Sequence, residues 1–334
     1  MSRKLLVVVV LGGLVAWTAA PLRPSVADIR QALSKSVPLL QVSGQKFMDR
    51  TPQHCISCHH NILTATVEEQ CRVKQVAFTD TFRKARVYAA LGGLQFVCNP
   101  NLQVNFIAAK FIPAYALLAL KADQYPPDRH TDIPVDYLLD IQKPDGTFGA
   151  EFGRPPLEGG EAHLAALCIY AIENFASPVK TLRVEKAVRR TREWLVAYQT
   201  DIPQEQVFQL LGLHWCGATP VEMEPMVKRL LSCQHADGSW SQLSTMHGDA
   251  YATGQALYAL AESGVVKTSD ECYQRGLAWL LRTQDLTGAW IVETRAYPIQ
   301  PFIDSDFPPY DENQFISAAA TNWASLALLE ALPR

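Results

Sequence analysis

No long run of like charge marks this chain, and neither sign dominates: 30 Lys+Arg stand against 33 Asp+Glu, a formal net charge of −3. That balance provides no electrostatic footprint for nucleic acid or for an anionic membrane surface. Glycine is sparse at 18 residues, which excludes collagen-like and low-complexity architectures, and 9% aromatics exclude disorder. Eight cysteines in 334 residues are too few for a disulfide scaffold, so each needs its own explanation. Nor does an apolar run reach the roughly 20 residues that a membrane helix needs. Leu5 to Trp17, behind Arg3 and Lys4, is shorter and reads as a secretory signal peptide. Cleavage is expected after Ala27 rather than Ala20, which would leave Pro21 first; an uncleaved anchor is the alternative. The expected organisation is a signal peptide over 1–27, an N-terminal segment over 28–60 and one domain over 61–334, periplasmic or secreted.

What is present is helical periodicity, nearly without strand alternation. Thr219 to Glu222 forms a capping box with Pro220 in the first turn, and Thr268 with Glu271 is read as another. Asp201 and Asp132 are read as caps ahead of Pro203 and Pro134. Two helix classes alternate. Over 183–198, Val184, Val188, Thr191, Leu195 and Tyr198 form one apolar stripe, so one face is wet. Over 162–172, 250–261 and 317–332 the residues are apolar or small all round, so these helices are buried. Alternation of this kind predicts a double-walled barrel.

The connections repeat as well. Gln142 to Phe148, Gln234 to Trp240 and Gln284 to Trp290 each place Gln six residues before an aromatic and Gly two before it. The Gly closes a turn in the left-handed conformation, the Gln amide satisfies turn backbone, and the aromatic packs on the neighbouring unit. A degenerate copy is expected near Tyr198-Gln199. These turns, with the segment Gly248-Asp249-Ala250-Tyr251-Ala252-Thr253-Gly254-Gln255, resemble the repeats of squalene–hopene cyclases and protein prenyltransferase β-subunits over about residues 100–334. The resemblance implies an all-α fold, a single α/α toroid of about 11–12 helices.

The family's chemistry is only partly represented. Its cyclases use an Asp-x-Asp-Asp acid, which is absent here; the nearest match, Asp304-Ser305-Asp306, reads as a turn. Full-length triterpene cyclases use two barrels, and this chain has room for one. Prenyltransferase zinc is held by Asp, a Cys two residues on and a distant His. Asp249 fills the first place, but Tyr251 stands at the second and no His follows His247. Overlaying the inner helices makes Glu161, Asp249 and Ser317 equivalent, with His163 matching Tyr251, all at one barrel mouth. They read either as helix caps or as the polar rim of a pocket for an apolar small molecule. In the second case Asp249 is the leading candidate acid and Glu161 the next. His130, His214 and His235 read as structural or solvated.

Cys55-Ile56-Ser57-Cys58-His59 matches the Cys-x-x-Cys-His pattern of c-type haem attachment, and resembles a cytochrome c site. Cys55 and Cys58 would hold haem c, with His59 as the proximal iron ligand. No Met occurs between Met48 and Met223, so the sixth ligand is unassigned. The alternatives are a disulfide, reduced thiols, or zinc held with His59 or His60 and Cys71. Cys71 and Cys98 could pair, while Cys168 and Cys272 read as core. Three functions are therefore expected. The first is exported redox chemistry or ligand sensing with a redox partner; the second, a terpenoid-cyclase-like enzyme using the mouth carboxylates. The third is a non-catalytic binding module stapled by zinc or a disulfide.

Overall fold

Helices with one wet face and helices apolar all round sort into two concentric rings. The computed structural model describes residues 23–51, 57–97, 110–150, 154–296 and 304–333; Cys55 and Cys98 lie outside them. Among the described residues are twelve α-helices: α1 (Val26–Arg50), α2 (Leu63–Lys74), α3 (Arg83–Val97), α4 (Phe111–Ala122), α5 (Arg129–Ile141), α6 (Glu161–Phe175), α7 (Thr181–Ala197), α8 (Pro203–Trp215), α9 (Pro220–Ser232), α10 (Ala250–Glu262), α11 (Glu271–Thr283) and α12 (Gln314–Glu330). The even-numbered helices form the inner ring, each packed on the next, with α12 returning onto α2; the odd-numbered helices lie outside. This is the all-α toroid expected. No helix among the described residues is long and apolar enough to cross a membrane.

Burial follows the two classes. The outer α7 buries only Ala187, Thr191 and Leu195, whereas the inner α12 buries nearly every residue from Gln314 to Leu329. Residues 26–50, read from sequence as part of a segment ahead of the domain, are instead wall: α1 packs on α11, α12 and α2 and closes the circle. Its start is a Ser25–Asp28 capping box. A cut after Ala27 would remove that cap, worth about 1 kcal/mol.

The Thr219–Glu222 capping box is present. Other caps differ from expectation: a competing residue takes the role at α5, and no side chain caps α8 or α11. Asp128, not Asp132, caps α5, and Asp132 pairs with Lys180 instead. Ile202 precedes α8 without a side-chain cap, and Asp270, rather than Thr268, precedes α11.

Each repeated turn joins an outer helix to the next inner one and locks onto the following outer helix. Gln234 Nε2 donates to Gly238 O (2.9 Å) within its turn and to Cys272 O (2.8 Å) in α11. Gln284 likewise donates to Gly288 O (3.0 Å) and to Ala32 O (3.0 Å) in α1, so the last turn grips the first helix. Trp240 and Trp290 fold under their own outer helices, donating from Nε1 to Leu230 O and Leu280 O, both at 2.8 Å. Gly238 has φ +97°, and a Cβ there would stand 2.6 Å from the Arg275 carbonyl oxygen of α11. Gly238→Ala is therefore expected to cost at least the roughly 1–3 kcal/mol of a strained backbone position, read as a lower urea midpoint at unchanged slope.

Candidate functional site

The first turns of the inner helices meet at one mouth. Tyr115 Oη of α4 lies 2.8 Å from His163 Nε2 of α6, and Gln204 Nε2 of α8 lies 3.2 Å from His163 Nδ1. Gln204 Nε2 also donates to Pro156 O (2.7 Å), which accepts from Tyr251 Oη of α10 as well (3.3 Å). Opposite them, the π-helical turn Cys58–Ile62 leads into α2. Extra-residue turns of this kind re-aim side chains and are frequent at functional sites. Asn322 of α12 fixes this one by donating to His59 O at 2.9 Å.

A short hairpin spans the mouth. Arg154 and Glu158 exchange backbone hydrogen bonds of 3.2 and 2.9 Å, and the guanidinium forks onto the Glu158 carboxylate, with Nε to Oε2 at 3.0 Å. The hairpin carries Glu158 to the π-turn, where Cys58 Sγ lies 3.9 Å from its Oε1. His59 Nδ1 stands 3.0 Å from the same sulfur and Nε2 3.4 Å. Cys58, His59 and Glu158 thus bring one ligand atom each within 4.8 Å of one another. Glu158 and His59 are buried, and Cys58 is half-buried. Burial, then the Glu158 charge, pushes the Cys58 thiol well up; burial, then the Arg154 charge, holds His59 well below the usual imidazole range. Burial holds His60 down at about 3, and its Nε2 lies 2.7 Å from Ser305 Oγ. Cys71, the other proposed zinc ligand, is not in this group: it is a core residue of α2 whose thiol burial raises to about 12.

The mouth residues read from sequence take up local work. Glu161 accepts from Gly149 N (2.9 Å) and Ala150 N (2.6 Å), and also binds Phe148 N, pinning the incoming loop. Ser317 Oγ accepts from Val292 N at 3.0 Å in the equivalent connection. Asp249 caps α10 through Ala252 N (2.9 Å) and accepts from Gln242 Nε2 (3.0 Å), whose Oε1 in turn accepts from Arg295. Tyr251 bonds Pro156 O in the hairpin directly, and His163 reaches the same carbonyl through Gln204. Asp304 and Asp306 are not a free turn: Asp306 pairs with Lys46 and Arg50 of α1, and the Lys46 contact holds its carboxyl down at about 2.

Burial pushes Asp249 up to about 6 against the hydrogen bonds it accepts. A carboxyl whose folded pKa lies above its unfolded value contributes stability that is present below the unfolded pKa and lost as pH rises through the folded one. Between about pH 4 and 7 the stability balance should therefore shift towards Asp249→Asn by roughly 2–3 kcal/mol, as measured by denaturant unfolding at each pH.

Below the mouth the inner wall is aromatic. His163 stacks on Phe208 with ring centroids 3.8 Å apart, Phe111 meets His163 edge-on at 5.0 Å, and Phe208 meets Trp323 edge-on at 6.1 Å. Trp323 in turn leans on Tyr258 at 5.6 Å. A cavity of about 10 Å³, room for one water, lies beside this wall between Gln204, Gln242, Tyr251 and Gln255.

Sequence reasoning missed Tyr115, Arg154, Glu158, Gln204 and Glu205. Glu205 is the least expected. One oxygen caps α6 at Ala162 N (2.9 Å), the other has no hydrogen-bond partner, and burial raises its pKa to about 7. The signal for α8 was present in the polar run Gln204-Glu205-Gln206, with Gln209 on the next turn, inside a buried helix. Nothing local marked Glu158, which acts through a partner 100 residues away.

No protein-family model matches the chain, and no curated protein matches it. Among solved structures it is similar to the apo form of the type II terpene cyclase MstE from Scytonema, with TM-score 0.60 and 15% identity over 93% of this chain and 99% of that one. A variant of that cyclase in complex with its substrate, geranylgeranyl dihydroxybenzoate, matches with TM-score 0.58 and 16% identity over 92% of this chain and 99% of that one. A polysaccharide lyase matches with TM-score 0.61 and 11% identity over 92% and 98%. These likenesses establish the α/α toroid and not an activity, since the fold serves unlike chemistries.

Proposed function

We propose that the protein is a terpenoid-cyclase-like enzyme acting on an elongated apolar molecule of polyprenyl type, seated along the inner wall with its reacting end at the mouth. The observation that carries this is the aromatic run from Phe111 and His163 through Phe208 and Trp323 to Tyr258. These rings are packed on one another and largely buried, and the adjoining cavity holds about one water, so the molecule is seated only as the wall parts; its ring faces then attract positive charge developing on a substrate. The shared fold with a cyclase bound to a geranylgeranyl compound supports the class. At the mouth Asp249 is the candidate acid, because burial keeps its carboxyl protonated up to about pH 6. The substrate class proposed carries an oxygen function at its reacting end, since a carboxylic acid protonates an oxygen more readily than an unactivated alkene. Glu161, with its oxygens on three backbone N–H groups, positions the loop.

The test is incubation of the full chain with geranylgeraniol and related oxygenated polyprenyls, followed by product analysis. Conversion is expected, falling above about pH 6. Asp249→Asn should lower kcat by about 10²–10⁴-fold, the usual worth of a general acid, while Glu161→Gln keeps kcat. Neither binding nor conversion of any polyprenyl would overturn the reading.

A second reading, haem c held by Cys55 and Cys58 with His59 on iron in an exported redox or sensing protein, rests on the motif and on the position of Cys58 and His59 at the mouth. A covalent haem band in the denatured protein would establish it.

A further inference from the structure

We infer that Cys58, His59 and Glu158 form a binding site for a single zinc-class divalent ion, with Glu158 as the ligand that the Cys-x-x-Cys-His motif does not contain. Zinc bound to a thiolate, an imidazole and a carboxylate sets these donors about 3.3–3.6 Å apart. The sulfur stands 3.0 Å from His59 Nδ1 and 3.9 Å from Glu158 Oε1, on either side of that range, and all three donors lie within 4.8 Å. The donor set is mixed soft and hard, as borderline ions prefer.

The surroundings hold each ligand in place. The π-turn sets Cys58 and His59 on the same side, Ser57 Oγ accepts from His59 N (3.2 Å), and Asn322 holds His59 O. The Arg154 guanidinium forks onto the Glu158 carboxylate, with Nε on Oε2 at 3.0 Å and Nη2 on the Oε1 that faces Cys58, so it orients the carboxylate and the ion binds Oε1 in competition with it. Binding replaces the Cys58 S–H bond by an S–metal bond and releases one proton to solvent; no electron is transferred. Three protein ligands leave a fourth position on a tetrahedral ion.

The inference is independent of the polyprenyl reading, and the two tests use different probes. The full chain, purified under reducing conditions and stripped with a chelator, is titrated with cobalt(II) alone and then competed with zinc(II). The expected result is one ion per chain, a near-ultraviolet thiolate-to-cobalt band, and release of one proton. Cys58→Ser should abolish the band, and Glu158→Gln should weaken affinity by at least the roughly 10–100-fold lost on removing an outer-shell partner. Cys71→Ser should leave band and affinity unchanged. Circular dichroism of each variant, with an unchanged helical signal, separates ligand loss from unfolding. Absence of the band in the folded wild type, affinity unaltered in folded Glu158→Gln, or covalent haem on Cys58 would each overturn the inference.

Discussion

Replacing Arg86 by Met is expected to cost about 3–5 kcal/mol at neutral pH, the penalty of stranding buried charge. The Arg86 side chain is 2% exposed and joins two equally buried carboxylates. Its Nη2 donates to Glu68 Oε2 (2.6 Å) and Asp123 Oδ1 (2.5 Å), and its Nε to Asp123 Oδ2 (2.8 Å). Gln41 Nε2 of α1 donates to the remaining Glu68 oxygen, so α1, α2, α3 and the end of α4 are tied at one point. Without the guanidinium both carboxylates face burial uncompensated. Adding Glu68→Gln with Asp123→Asn, which removes both stranded charges, should recover part of the loss in urea unfolding. A deficit that the added replacements leave unchanged would refute the assignment.

Trp290→Ala is the second large effect, expected at about 3–5 kcal/mol from lost burial and the cavity left behind. Trp290 is 1% exposed, and its indole donates to Leu280 O, at the point where the last repeat grips α1. Trp290→Phe should cost far less, roughly 1–2 kcal/mol for one unmatched carbonyl and a smaller ring. The repeat supports this directly, since Phe148 fills the same place, fully buried, in the first turn. Urea unfolding of the pair distinguishes volume from hydrogen bonding. If Phe proved as costly as Ala, the hydrogen bond and not the packing would carry the turn.

The toroid was legible because its information is local and repeated. Periodicity separates wet from buried helices within one or two turns of chain, and Gln234, Gly238 and Trp240 act within a single connection. The role of α1 was not legible, because its apolar stripe has no repeat turn beside it and its partners, α11 and α12, lie at the far end of the sequence. At the mouth, His163 and Tyr251 could be aligned from their helices, and both reach the same hairpin. Glu158 could not be found that way, since only closure of the ring brings it to Cys58. Whether Glu161 caps or catalyses was equally closed to sequence: the three N–H groups it holds belong to a loop whose path depends on the whole unit.

The central claim, that an elongated apolar molecule lies inside the inner ring, is tested most directly by a polyprenyl analogue carrying a photoreactive diazirine at its apolar end. After irradiation with the full chain and proteolysis, the account predicts adducts on the peptides of Phe208, Tyr258 and Trp323, suppressed by excess unlabelled geranylgeraniol. Labelling confined to exposed outer-helix residues such as Leu182 or Val221, unaffected by the competitor, would contradict it.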